Sequence, residues 1–264
     1  NLRKAIEHQK VALQVFTKEN DALLWGNTQH FLGLAFVSLP EGDRAANILR
    51  AIECYEAALE VFTRQDYPTE WATTKNSLGT AWRILPKGDK AENLIKSIDC
   101  HEAALQVFTR EKSPIAWAVT QSDLGHAWLN LPTGDRAANL NKAIRCLQAA
   151  LQEFSRTDEP IPWAYAQEAM GMATHRLAVN EQSGSLAKAR ECYESALEVF
   201  TKQDHPTDWG RIQCSLGQVW AELTLGDRKT NLRKAIDCYR ASLEVVSRQS
   251  DPNTWAYTQN SLAA

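Results

Sequence analysis

The chain lacks most of what gives a quick functional reading. Only two of its 264 residues are methionine, and no run approaches the roughly 18 apolar residues that a membrane helix requires. Lys and Arg total 29 against 32 for Asp and Glu, a formal charge of -3. Such a balance provides no general field to gather phosphate backbones or anionic membrane surfaces. Asn-Gly pairs and sustained polar/apolar alternation are both absent, which argues against hairpins and strands. Gly-x-Ser-x-Gly, Gly-x-x-x-x-Gly-Lys and His-Glu-x-x-His are missing too, so no catalytic machinery and no cofactor is expected. The opening Asn1-Leu2-Arg3-Lys4 has neither an initiator Met nor the layout of a secretory signal. The expectation is a piece of a longer protein.

What is present is a period. Trp25, Trp71, Trp117, Trp163, Trp209 and Trp255 are 46 residues apart every time. Asn1, Asn47, Asn93, Asn139, Ser185 and Asn231 open the successive units, and Leu13, Leu59, Leu105, Leu151, Leu197 and Leu243 share another register. Phe16, Phe62, Phe108, Phe154 and Phe200 follow, with Val246 as the exception, and Gly33, Gly79, Gly125, Gly171 and Gly217 close the pattern. The units are therefore 1–46, 47–92, 93–138, 139–184, 185–230 and an incomplete 231–264, read as a single repeat domain over 1–264. A period of this size is the mark of a repeat architecture.

Each unit reads as two helices. The first carries Leu49, Ile52, Tyr55, Ala58, Leu59 and Phe62 at helical spacing. Before it lies Leu39-Pro40-Glu41-Gly42-Asp43, recurring at Leu85 and Leu131. Pro and Gly stop the preceding helix, and the Asp is placed to cap the next. The second helix follows Pro68, Pro114, Pro160, Pro206 or Pro252, which suits the first helical turn. The fold class expected is all-α, about twelve antiparallel helices stacked as hairpins, because a lone pair cannot bury its apolar face. The tryptophans share a face with Leu32 and Leu78, which makes them core on this reading, against a platform for stacking ligands. A core tryptophan predicts that Trp117→Ala costs about 3–5 kcal/mol.

Leu78-Gly79-Thr80-Ala81-Trp82, then Ser97-Ile98 to His101 and Ala104-Leu105, resembles the tetratricopeptide (TPR) pattern of Leu-Gly-x-x-aromatic followed by Ala, aromatic, Ala. The TPR period is 34, so 12 residues are extra here. The long variant resembles the repeats of bacterial multi-repeat proteins, some of which end in a CHAT-type (caspase-like) peptidase domain. The resemblance implies a right-handed superhelix and a protein–protein interaction scaffold, the sensing part of a larger bacterial protein. An alternative is an intramolecular regulator or oligomerisation arm of an attached effector domain.

In TPR solenoids the equivalent of the second helix lines the concave groove. Opposite its Trp/Leu face lies a stripe that changes from unit to unit, and the resemblance implies that Asn76, Arg83, His126, Tyr165, Glu168, Met172, His175, Arg211 and Gln218 contact a protein or peptide segment there. A drifting solvent face is the competing reading; the mix of Tyr, Arg, His and Met favours recognition. Nucleic acid would need a basic stripe, and this one offers only Arg83 and Arg211. His126 and His175, on neighbouring second helices, are read as ordinary groove histidines. Glu168 has no second carboxylate repeated beside it for acid–base work.

Cys54, Cys100, Cys146, Cys192 and Cys238 occupy one repeat position, with Cys214 elsewhere. Stacked equivalents lie on the order of 8–10 Å apart, beyond the reach of about 7 Å between Cα atoms that a disulfide allows. Reduced thiols used as small hydrophobes point to the cytoplasm; there is no Cys/His cluster at zinc spacing. Lys4/Glu7, Arg50/Glu53, Lys96/Asp99 and Lys234/Asp237 read as i,i+3 ion pairs on the first helix. Unit four is irregular, with Ala178-Val179-Asn180-Glu181-Gln182-Ser183-Gly184 in place of the Pro-Gly-Asp turn, Thr174 for the aromatic and Arg190 for Ile. A bend or looser contact between residues 174 and 190 is expected. Uncapped ends raise end-to-end self-association as a further expectation.

Overall fold

The computed structural model describes residues 1–178 and 184–263. They form twelve α-helices and no strand. The chain divides into two compact units, Asn1–Gly134 and Asp135–Ala264. The first holds α1 (Leu2–Ala12), α2 (Ala22–Ser38), α3 (Arg44–Leu59), α4 (Pro68–Ile84), α5 (Lys90–Ala104) and α6 (Pro114–Asn130). The second holds α7 (Arg136–Leu151), α8 (Pro160–Ala178), α9 (Gly184–Leu197), α10 (Pro206–Glu222), α11 (Arg228–Leu243) and α12 (Pro252–Ala263). Within each unit every helix packs on the next in sequence order, and alternate helices also touch: α2 with α4, α4 with α6, α8 with α10, α10 with α12. This is the arrangement of an all-α helical solenoid.

The connections follow from their residues. Asp43 accepts from the Ala45 and Ala46 amides, Asp89 from Glu92 and Asp227 from Thr230, capping α3, α5 and α11. Just before these caps the backbone turns left-handed at Gly42 (φ 83°), Gly88 (φ 86°) and Gly226 (φ 86°), a conformation that favours glycine. The recurring Asn clamps the same turn. Asn47 Nδ2 donates to the Glu41 carbonyl at 2.8 Å, Asn93 to Lys87 at 2.8 Å, and Asn231 to Leu223 and Leu225 at 3.1 and 2.9 Å. Exposed side chains clasp successive hairpins: Lys18 to Glu60, Arg64 to Gln106, Arg156 to Glu198 and Lys202 to Glu244.

The core differs from the expected one in its deepest layer. In the first unit Ala51, Ala58, Ala72 and Ala81 are wholly buried, as are Ile48, Tyr55, Phe62 and Leu94; in the second unit Leu140 and Phe200 are buried as deeply. The periodic tryptophans are only half-buried, at the rim of this layer. Trp71 and Trp117 lean on the Ala72–Ala104–Phe108 cluster, and Trp163 on the core of the second unit. A cation covers the outer face of several indoles: Lys18 lies 4.7 Å from the Trp25 ring centre, Arg110 5.9 Å from Trp117 and Lys202 5.9 Å from Trp209. Small alanines let helices close so tightly that a bulky indole fits only at the edge.

The recurring glycine has a specific partner. A methyl group on Gly33 would lie 2.6 Å from the Tyr55 ring, on Gly79 2.8 Å from His101, on Gly171 2.8 Å from Tyr193 and on Gly217 2.7 Å from Tyr239. Four of the second helices, α2, α4, α8 and α10, thus receive a flat ring from the first helix of the following hairpin. The α8–α9 seam keeps this contact, and Thr174, Leu186 and Ala189 are buried in it. The looser contact expected there is not found among the described residues; the irregular segment 179–183 lies outside them. Arg190 stacks 5.2 Å from the Trp220 ring centre, which explains how a cation replaces Ile at that position.

The expected i,i+3 ion pairs are mostly replaced. Arg50 sits over Phe36 at 5.8 Å and Lys234 over Trp220 at 4.1 Å; Lys96 sits over Trp82 at 4.5 Å and pairs with Glu92 at 2.8 Å. The aromatic belongs to the preceding hairpin. Where Thr174 replaces it, the i,i+3 pair does form, Lys188 to Glu191 at 3.3 Å.

Candidate interaction face on the second helices

In the first unit α2, α4 and α6 lie side by side, and in the second α8, α10 and α12 do. Position 30 of four repeats, counted from Asn1, Asn47 and their equivalents, is a bridge to the next of these helices. His30 Nδ1 bonds Thr74 Oγ1 at 3.1 Å, and Asn76 Nδ2 donates to Asp123 Oδ2 at 3.3 Å. Glu168 receives Arg211, and Cys214 Sγ accepts from Thr258 Oγ1 at 3.1 Å. The partner lies 43 to 47 residues ahead each time.

In the first unit these groups form a network. Arg83 reaches Asp123 at 3.6 Å, Thr80 donates to the same carboxylate at 3.3 Å, and His101 Nδ1 meets Asn76 Oδ1 at 2.8 Å. The amide oxygen only accepts, so the His101 proton sits on Nδ1. Its Nε2 is buried without a partner. Burial holds His101 neutral, with a pKa of about 4, and does the same to His30.

In the second unit Arg211 is a fork. Nη1 meets Glu168 Oε1 at 2.7 Å, while Nη2 meets Glu168 Oε2 at 3.1 Å and Asp208 Oδ1 at 2.7 Å. Tyr165 donates to Asp208 Oδ2 at 3.3 Å and lays its ring 4.8 Å from that of Phe200. Glu168 is 3% exposed; burial pushes its carboxyl up while Arg211 pulls it back. His175 Nε2 pairs with Glu222 Oε2 at 2.9 Å.

The nine residues singled out for the groove therefore fall on one set of helices but not in one role. Asn76, Arg83, Glu168, Arg211 and His175 bond to neighbouring second helices, so their polar groups are largely engaged within the chain, with Arg83 Nε left unpartnered. Glu168 also has the second carboxylate that the stripe alone did not show, since Asp208 shares its arginine. His126 is half-buried on α6. Met172, His175 and Gln218 line a cavity of about 300 Å³ with Tyr193 and Ser215. Tyr165 remains 37% exposed. Asp123, Asp208 and Glu222 went unnoticed in the sequence; their signal is acidic character about one repeat beyond Asn76, Tyr165 and His175.

Phe31 was also missed. It is 53% exposed on α2 and walls a cavity of about 260 Å³ between α2 and α4, with Asn27, Phe62, Glu70 and Thr73. Glu70 has no hydrogen-bond or ion-pair partner among the described residues.

Cys54, Cys100, Cys192 and Cys214 are buried thiols and Cys146 and Cys238 are half-buried. Burial pushes Cys54, Cys100, Cys192 and Cys238 up to about 11, far from a reactive thiolate. Among the described residues no group of three or more His, Cys, Asp and Glu side chains is placed to hold a metal ion. No helix among them is long and apolar enough to cross a membrane. Compared with models of known protein families and with curated proteins, the chain matches none.

Proposed function

We propose that this chain is a TPR-like scaffold that binds a peptide or protein segment along the face of its second helices. The observation that carries the reading is that, in the first unit, Phe31, 53% exposed, walls a cavity of about 260 Å³ on that face, while in the second unit the same helices carry Tyr165, 37% exposed, and a separate cavity of about 300 Å³. Aromatic anchors beside pockets, set among polar pairs already satisfied within the chain, are what a recognition surface needs. On this reading the chain binds and does not catalyse, and it serves as the sensing part of a larger bacterial protein. The unreactive buried thiols support work in the cytoplasm. The test is selection from a displayed peptide library, with bound peptides mapped by hydrogen exchange. Protection on α2, α4 and α6, or on α8, α10 and α12, is expected. Protection confined to the first helices, or no peptide enriched over a scrambled pool, overturns the reading.

A further inference from the structure

Two places in the repeat, one in each unit, differ in an informative way. In the second unit Tyr165 occupies position 27, Phe200 lies beneath its ring, and Asp208 takes its hydroxyl. The matching residues in the first unit are Asn27, Phe62 and Glu70, one repeat register for all three. Arg211, which completes the second-unit cluster, is matched by Thr73. Phe62 makes the same edge contact with Tyr67, at 5.8 Å, that Phe200 makes with His205, at 5.3 Å. The floor and the acid are therefore present twice, but the ring and the guanidinium only once. Where two short side chains, Asn27 and Thr73, stand in for Tyr165 and Arg211, the space is open as the cavity of about 260 Å³.

We infer that the α2–α4 cavity seats a tyrosine side chain supplied by a partner chain, its ring packing against Phe31 and meeting Phe62 only at the cavity floor, and its hydroxyl donating to Glu70. The inference rests on the reading of the second-helix face as a binding surface, and it adds what is bound. Tyr165 serves as the internal template for both the ring contact and the hydroxyl–carboxylate bond. A carboxylate acceptor favours the phenol over a plain phenyl ring, because burying Glu70 beside a group that cannot donate leaves it unsatisfied. It also repels a phosphorylated phenol.

The experiment uses N-acetyl-tyrosinamide, N-acetyl-phenylalaninamide and the phosphotyrosine analogue as probes, followed through the backbone amide shifts of Thr73 and Thr74. The tyrosine derivative is expected to give saturable shifts with at least threefold higher affinity than the phenylalanine one, and the phosphorylated form the weakest response. Glu70→Leu should erase the preference for tyrosine over phenylalanine. Asn27→Tyr should remove the saturable response by filling the cavity from within, as Tyr165 does. Thermal melts of both variants establish that they are folded. Absence of a saturable shift at Thr73 and Thr74, an unchanged response in Asn27→Tyr, or equal binding of the phosphorylated form overturns the inference. Library peptides that protect the second helices while the tyrosine probe fails would sink this seat and leave the scaffold standing. A working seat with no peptide protection would sink the scaffold reading instead.

Discussion

Replacing Gly33 by Ala sets two effects of opposite sign against each other. Alanine is favoured over glycine inside a helix by about 1 kcal/mol, so at an open position the change should stabilise. At Gly33 the new methyl would lie 2.6 Å from Tyr55 Cε1 and 2.9 Å from Cδ1 and Cζ. Ordinary carbon contacts need about 3.5–4.0 Å, so the ring must retreat by roughly 1 Å. Tyr55 is 1% exposed and has nowhere to go without moving α3. Overpacking of this kind costs about 1–3 kcal/mol, which outweighs the propensity gain and leaves a net loss of about 1 kcal/mol. The assay is urea unfolding followed by circular dichroism, with Gly184→Ala as the control, since a methyl there meets nothing within 4 Å. Pairing Gly33→Ala with Tyr55→Leu, the residue type that Leu147 places at the same repeat position, should relieve the clash and show as a coupling in a double-mutant cycle. If Gly33→Ala stabilises the protein as much as Gly184→Ala does, the ring-on-glycine account of the seam is wrong.

The remaining expectations concern charge and burial. His30 and His101 have folded pKa values of about 4 against an ordinary 6.5, so the unfolded chain takes up their protons first as pH falls. Stability is then full above pH 6.5 and declines between 6.5 and 4 by up to about 3 kcal/mol per histidine. Urea midpoints measured at pH 7.5 and 4.5 should show this, and His101→Tyr should remove part of the slope. Arg211→Ala leaves Glu168 buried without its fork, a loss of about 3–5 kcal/mol at pH 7.5. That loss should shrink at pH 5, where Glu168 is free to protonate; equal losses at the two pH values would count against the pairing. Trp117→Ala should cost about 2 kcal/mol, below the figure for a core tryptophan, because the indole is half-buried. A chemical melt showing more than 4 kcal/mol would place it back in the core.

The helical hairpins were legible because period, caps and prolines all point the same way. Asp43, Asp89 and Pro68 mark helix starts by chemistry that depends only on near neighbours in the chain. Depth of burial was not legible for the tryptophans. Periodicity shows that Trp25 and Trp71 share an environment, but not whether that environment is centre or rim, and the fully buried alanines decide it. The second-helix stripe was found as a face, whereas its internal pairing was hidden. The partner of Glu168 is Arg211, 43 residues on, and a wheel drawn for one helix contains no information about the next. Arg50 and Lys234 failed as i,i+3 pairs for a related reason, since aromatic rings from the preceding hairpin compete for them.

The bridges at position 30 give the hairpins an order. His30 with Thr74, Asn76 with Asp123, Glu168 with Arg211 and Cys214 with Thr258 are four different handshakes, although the apolar surfaces around them are nearly interchangeable. A shuffled gene that moved residues 139–184 into the place of 47–92 would keep most oily contacts in register, Leu147 for Tyr55 and Thr174 for Trp82 being exceptions. It would nonetheless bring the Glu168 carboxylate against Val119 and Asp123, with no guanidinium in reach. Grease makes such a stack, and the polar lock at each joint dictates its sequence of parts.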